Sequence, residues 1–174
     1  MAFPIFCFLL IEGFEHTHDV KKYALRLLSF CLVSEIPFDL LFNGKILESG
    51  YQNVFFTLLL GLLVIAGLHL VEQHFVGTTV GKTILRVGLN AVIILTGCVL
   101  GLVLKTDYDF KGILAITVLY LFRNRKKAQM WAGVIIFLLM DSLEMFAALS
   151  FILIWFYNGT RGRQNKYFFY FFYP

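Results

Sequence analysis

Glu35 and Asp39 stand in the run Ser34-Glu35-Ile36-Pro37-Phe38-Asp39, inside a stretch otherwise built of hydrocarbon side chains. Ionisable groups in such surroundings cost roughly 2.5–3.5 kcal/mol each on insertion scales, so they are rarely idle. In a continuous helix the i, i+4 spacing sets both on one face, as a carboxylate pair lining a cavity with one member tuned for acid/base work. Pro37 argues against continuity. It offers no N–H to the Val33 carbonyl and disfavours helix at Ile36, which predicts a kink or an end here. On the second reading, the apolar segment stops near Ile36 and Asp39 sits in the interface. Spacing alone leaves both open.

Gln52 and Asn53 follow across a short connection, where amides at a helix start ordinarily act as caps. His16 and His18 flank Thr17 in a polar stretch, as solvated side chains or as a proton-handling group, and lack the further ligands that zinc requires. His69 and His74 are spaced off a common helical face, which speaks against a joint role. Asp141 and Glu144 share a face, and buried together they would titrate in coupled steps. In Tyr157-Asn158-Gly159-Thr160-Arg161-Gly162, Arg161 is a fork-shaped donor suited to phosphate or carboxylate, although a basic loop beside an aromatic belt reads the same way. Asn158-Gly159 is foremost a turn dipeptide. Gly77–Lys82 imitates a phosphate-binding loop but has too few residues between its glycines. Cys7, Cys31 and Cys98 lie in apolar segments without ligand spacing, so neither a metal centre nor a disulfide framework is expected.

The elements that must carry these residues are membrane-like. Of 174 residues, 59% are hydrophobic and 15% charged, with a mean hydropathy of +0.79. A soluble surface needs more polar groups than that supplies. Apolar segments run over 2–14, 23–42, 54–71, 84–104, 110–122 and 130–157. The expectation is an all-α polytopic membrane bundle of about six spans or half-spans, forming one transmembrane domain over residues 1–174. Segment 110–122 is short, hence re-entrant or packed among other helices, and 130–157 is one tilted helix or a helix broken near Asp141. If each segment crosses once, the first, third and fifth connections share nine Lys and Arg: Lys21, Lys22, Arg26, Lys82, Arg86, Arg123, Arg125, Lys126 and Lys127. The remaining six favour the other side, so the basic side is read as cytoplasmic. The net charge of +4 is therefore a topology signal and not a nucleic-acid signature. The cluster from Arg123 to Lys127 reads as a loop anchor or a contact for anionic headgroups.

Several motifs then carry a resemblance. Ala2-Phe3-Pro4-Ile5-Phe6, Glu12-Gly13-Phe14, His16-Thr17, Ser34 to Asp39, Gln52-Asn53-Val54-Phe55-Phe56-Thr57 and Asp107-Tyr108 occur in order, followed by Tyr157-Asn158-Gly159, Arg161-Gly162, Lys166-Tyr167 and Phe172-Tyr173-Pro174. Together they resemble the TraX family of bacterial membrane proteins linked to conjugation, whose name-giving member acetylates the N-terminus of pilin. The resemblance implies a multi-pass protein of the bacterial cytoplasmic membrane. It implies acetyl-CoA as the acyl donor, and pilin or another membrane-associated amine or hydroxyl acceptor. Glu35, Asp39 and His16 are the candidates for catalysis. Gln52, Asn53, Asn158 and Arg161 are the candidates for substrate binding. Against that pattern the chain reads as cut at both ends, lacking an earlier span with an Asp-His pair and a span after the final Tyr-Pro. A non-enzymatic assembly factor or small transporter is the alternative, since intramembrane carboxylates also mark ion and proton pathways.

Overall fold

Pro4, placed in the first turn where its missing N–H costs nothing, opens α1 over Phe3–His16. In this computed structural model, which describes residues 2–42, 52–75, 80–140 and 144–157, the remaining helices follow in alternating directions. They are α2 (Val20–Phe42), α3 (Val54–His74), α4 (Val80–Val103), α5 (Asp109–Leu121), α6 (Lys126–Leu138) and α7 (Ser150–Trp155), the last preceded by a 3-10 segment over Glu144–Leu149. Asp19 caps α2: its carboxylate accepts the Lys22 N–H at 3.1 Å, and that bond holds the group below the usual carboxylate range.

The six apolar segments thus correspond to helices, and 130–157 is the broken one. The short segment is α5, which is packed among other helices: Ile113, Ala115, Ile116 and Leu119 are completely buried. It packs on α1, α3, α4 and α6, most extensively on α3 and α4. α3 and α4 are long and apolar enough to cross a membrane. Only 11% of the most apolar stretch of α4 is buried, so Ile84, Val87, Val92, Leu95 and Val99 form an exposed hydrocarbon face. Such a face is unusual for a surface in water.

Of the two outcomes expected at Pro37, a kink or an end, the end does not occur. α2 continues through it to Phe42. The reason is tertiary: Tyr23, Leu27, Cys31, Glu35 and Asp39, one every fourth residue, form a buried stripe, and α3 is the main helix that α2 packs on. That stripe holds the helix on both sides of the proline, whose ring faces outward.

α4 ends in a Schellman turn, with Thr106 N–H bonding Gly101 O at 3.1 Å and Lys105 N–H bonding Leu102 O at 3.2 Å. Lys105 occupies the left-handed position, φ 50°, that usually falls to glycine, and Asp109 follows at φ 45°. This tight connection is pinned on three sides. Gln52 N–H donates to Lys105 O at 3.0 Å, Tyr108 N–H donates to Thr57 Oγ1 at 3.4 Å, and the rings of Phe3 and Tyr108 stack at 3.6 Å. Gly112 lets α5 come this close, since a Cβ there would lie 2.5 Å from Thr57 Cγ2 and 2.6 Å from Tyr108 Cβ. Gly112→Ala is expected to lower the unfolding midpoint in detergent by about 1–3 kcal/mol of stability. Lys105→Gly should raise it by roughly 1–2 kcal/mol. An unchanged midpoint for Gly112→Ala would mean that this contact does not hold the bundle.

Candidate functional site

Because α2 stays helical, Glu35 and Asp39 do share a buried face, with relative exposures of 7% and 0%. Opposite them, Asn53 begins α3 and is 2% exposed. Its side chain makes three hydrogen bonds. Oδ1 accepts the Phe55 N–H at 3.0 Å as the helix cap, while Nδ2 donates to the Cys31 carbonyl at 3.0 Å and to Glu35 Oε2. The Asn53 backbone N–H adds a longer contact to the same carboxylate oxygen at 3.5 Å. The cap reading of Asn53 therefore holds, and the same side chain also binds Glu35.

Glu35 is held by one oxygen only. Among the described residues its Oε1 is buried and has no hydrogen-bond partner. A carboxylate oxygen kept out of water and unpaired is costly, by about 1–3 kcal/mol or more for a charged group, and is the kind of group a ligand satisfies. The site sits at one end of the bundle, beside the strained 104–109 connection. Gln52 joins it through its backbone, paired with Thr106.

The model for the TraX protein family matches residues 1–174. The chain belongs to the TraX family. A protein described as the probable fimbrial assembly protein FimC, serogroup H1, of Dichelobacter nodosus is 28% identical over 202 aligned residues, which cover 100% of this chain and 76% of that protein. No solved structure matches.

His16, a further candidate of this TraX-family chain, does not join Glu35. His16 lies in the last turn of α1, and its Nδ1 bonds the Glu12 carbonyl at 2.8 Å. α1 begins at the Tyr108 stack beside the site, so its 14 residues put His16 about 20 Å away at the other end. Asn158 and Arg161 lie outside the described residues, as do Asp141 and the 76–79 part of the loop-like glycine motif. Tyr157, the last described residue of its segment, lies at that far end, where its carbonyl accepts from Lys126 Nζ at 2.6 Å.

That far end holds a cluster the sequence reading missed. Arg123 was read as a loop anchor, but its side chain is only 13% exposed. It joins α1, α3 and the end of α5: Nε is 2.9 Å from Glu15 Oε1 and one terminal nitrogen donates to Glu72 Oε2 at 2.8 Å. Its guanidinium lies 4.0 Å from the centroid of the Tyr120 ring, and Tyr120 Oη is 3.2 Å from His69 Nδ1. Burial, the largest single effect, opposes the charge of Arg123, but the Glu72 bond together with the electrostatic interactions with Tyr120, Glu72 and Glu15 outweighs it and the net shift is upward. A signal existed in the sequence. Glu15, Glu72 and Arg123 all fall at connections that an alternating chain puts on one side.

Asn53→Leu, which strips Glu35 of its donor, is expected to cost about 1–3 kcal/mol. Glu35→Gln retains an acceptor for the amide and should cost less. A double-mutant cycle on the two positions should give coupling of about 1 kcal/mol, read from denaturant midpoints. Strict additivity would show that the pair does not act as a unit.

Proposed function

We propose that this chain is a multi-pass protein of the bacterial cytoplasmic membrane that transfers an acetyl group from acetyl-CoA to a membrane-associated acceptor amine, such as the N-terminus of pilin. Family membership and the similarity to a probable fimbrial assembly protein support a pilus-linked role. The two long apolar helices and the exposed hydrocarbon of α4 support the membrane setting. The observation that carries the chemistry is the half-satisfied Glu35: Asn53 fixes one oxygen and leaves Oε1 buried and open.

In the proposed reaction the neutral amine attacks the thioester carbonyl. A C–N bond forms, the C–S bond breaks, and coenzyme A leaves as thiolate, which then takes up a proton. The amine nitrogen must shed one proton in this step, and Glu35 Oε1 is the acceptor for it. Asp39 lies one turn further on the same buried face, where it can hydrogen-bond the neutral acceptor amine. Asn53 keeps Glu35 in one rotamer, which is worth more to the reaction than its own contact with substrate. His16 stands as a further candidate that these contacts do not reach, and Asn158 and Arg161 as candidates outside the described residues.

Membranes carrying the full chain, given labelled acetyl-CoA and peptides with a free N-terminus, should transfer label. Glu35→Gln and Asp39→Asn should each reduce the rate by about 10²-fold or more. No transfer by the parent chain, or parental rates in both variants, would refute the proposal.

A further inference from the structure

The two ends of the bundle differ in charge and in aromatic content. Among the described residues, nine Lys and Arg lie at the His69–Arg123 end, from Lys21 to Lys127. At the Glu35–Asn53 end the described Lys and Arg are Lys105 and Lys111, against Glu35, Asp39, Asp107 and Asp109. The chain has two tryptophans, and both are exposed towards the basic end: Trp131 in the second turn of α6 and Trp155 at the close of α7. Tryptophan favours the boundary between hydrocarbon and headgroups.

The basic groups also sit where apolar stems begin. On α4, Lys82 and Arg86 alternate with the exposed Ile84, Leu85 and Val87; on α2, Arg26 stands beside the exposed Leu25. Long cationic side chains in that setting run along the hydrocarbon and bring their charge to the surface above it. Arg123 is excluded from this role, because its guanidinium is taken up by Glu15, Glu72 and Tyr120.

We propose that the Lys/Arg- and Trp-rich end seats on the anionic phospholipid headgroups of the cytoplasmic leaflet, so that the Glu35–Asn53 cluster opens on the face away from the cytoplasm. The complementarity is direct: exposed cations and interfacial indoles at one end match an anionic headgroup layer. The inference rests on the membrane placement proposed above and not on acyl transfer.

Resistance of the full chain to carbonate extraction from cell membranes tests that placement by itself. Orientation is then read by a membrane-impermeant maleimide on intact cells, using Lys105→Cys and Asn124→Cys, two exposed positions at opposite ends, against the parent chain as baseline. Position 105 should label in intact cells, and position 124 only after permeabilisation. In a second arm, the chain is reconstituted into phosphatidylglycerol and into phosphatidylcholine vesicles. Position 124 should show one uniform orientation in the first and approach an even mixture in the second. Labelling at 124 in intact cells, no labelling at 105, or equal orientation in both vesicle types would overturn the proposal.

Discussion

A polar group taken out of water must find a partner, and at the junction of α2 and α3 one side chain meets most of that demand. Asn53 satisfies the first turn of its own helix, the Cys31 carbonyl and one oxygen of Glu35. α2 depends on this junction, because α3 is its main packing partner while its outer face is exposed hydrocarbon. A proline inside a helix costs about 3 kcal/mol through its lost bond and its clash. The buried stripe from Tyr23 to Asp39 and the Asn53 bonds offset that cost, and the helix carries both carboxylates past Pro37 on a single face.

α5 is the other constraint. A 13-residue helix cannot reach across a bilayer of about 30 Å, but it can fill the centre of a bundle whose two longest apolar helices have the length to do so. Close approach depends on small residues: Gly97 and Gly101 of α4 leave room for Val64 and Ile113, as Gly112 does for Thr57 and Tyr108. In hydrocarbon such packing replaces the hydrophobic effect as the force between helices. The helix is then locked at both ends, by the Phe3–Tyr108 stack at one and by Arg123 between two carboxylates at the other. The result is a bundle with an acidic, strained end and a basic, ion-paired end.

Much of this was legible beforehand. The six apolar segments and the sharing of one side by the basic connections follow from hydropathy and alternation, whereas the sequence left open whether 130–157 breaks and whether the short segment is re-entrant or packed. The cap role of Asn53 was legible from its position before an apolar run. Pro37 misled because proline's effect on an isolated helix is local, whereas here packing along the whole of α2 outweighs it. His16 misled because a histidine in a polar stretch carries no mark of which end of a bundle it will occupy. Arg123 was taken for one more loop cation, since nothing local distinguishes a charge in water from one held between Glu15 and Glu72.

Composition and periodicity determined that this is a helical, hydrocarbon-rich chain with charge confined to a few places, because burial and exposure of apolar residues depend on one-dimensional spacing. The tertiary structure alone decided that Glu35 and Asn53, 18 residues apart, become one hydrogen-bonded unit. It also decided that Glu35 keeps one oxygen buried and unpaired, and that His16 lies at the opposite end. Those outcomes depend on which helices touch and at what height. That is set by glycine-sized gaps and ring stacks between segments distant in sequence, where no local pattern records the pairing.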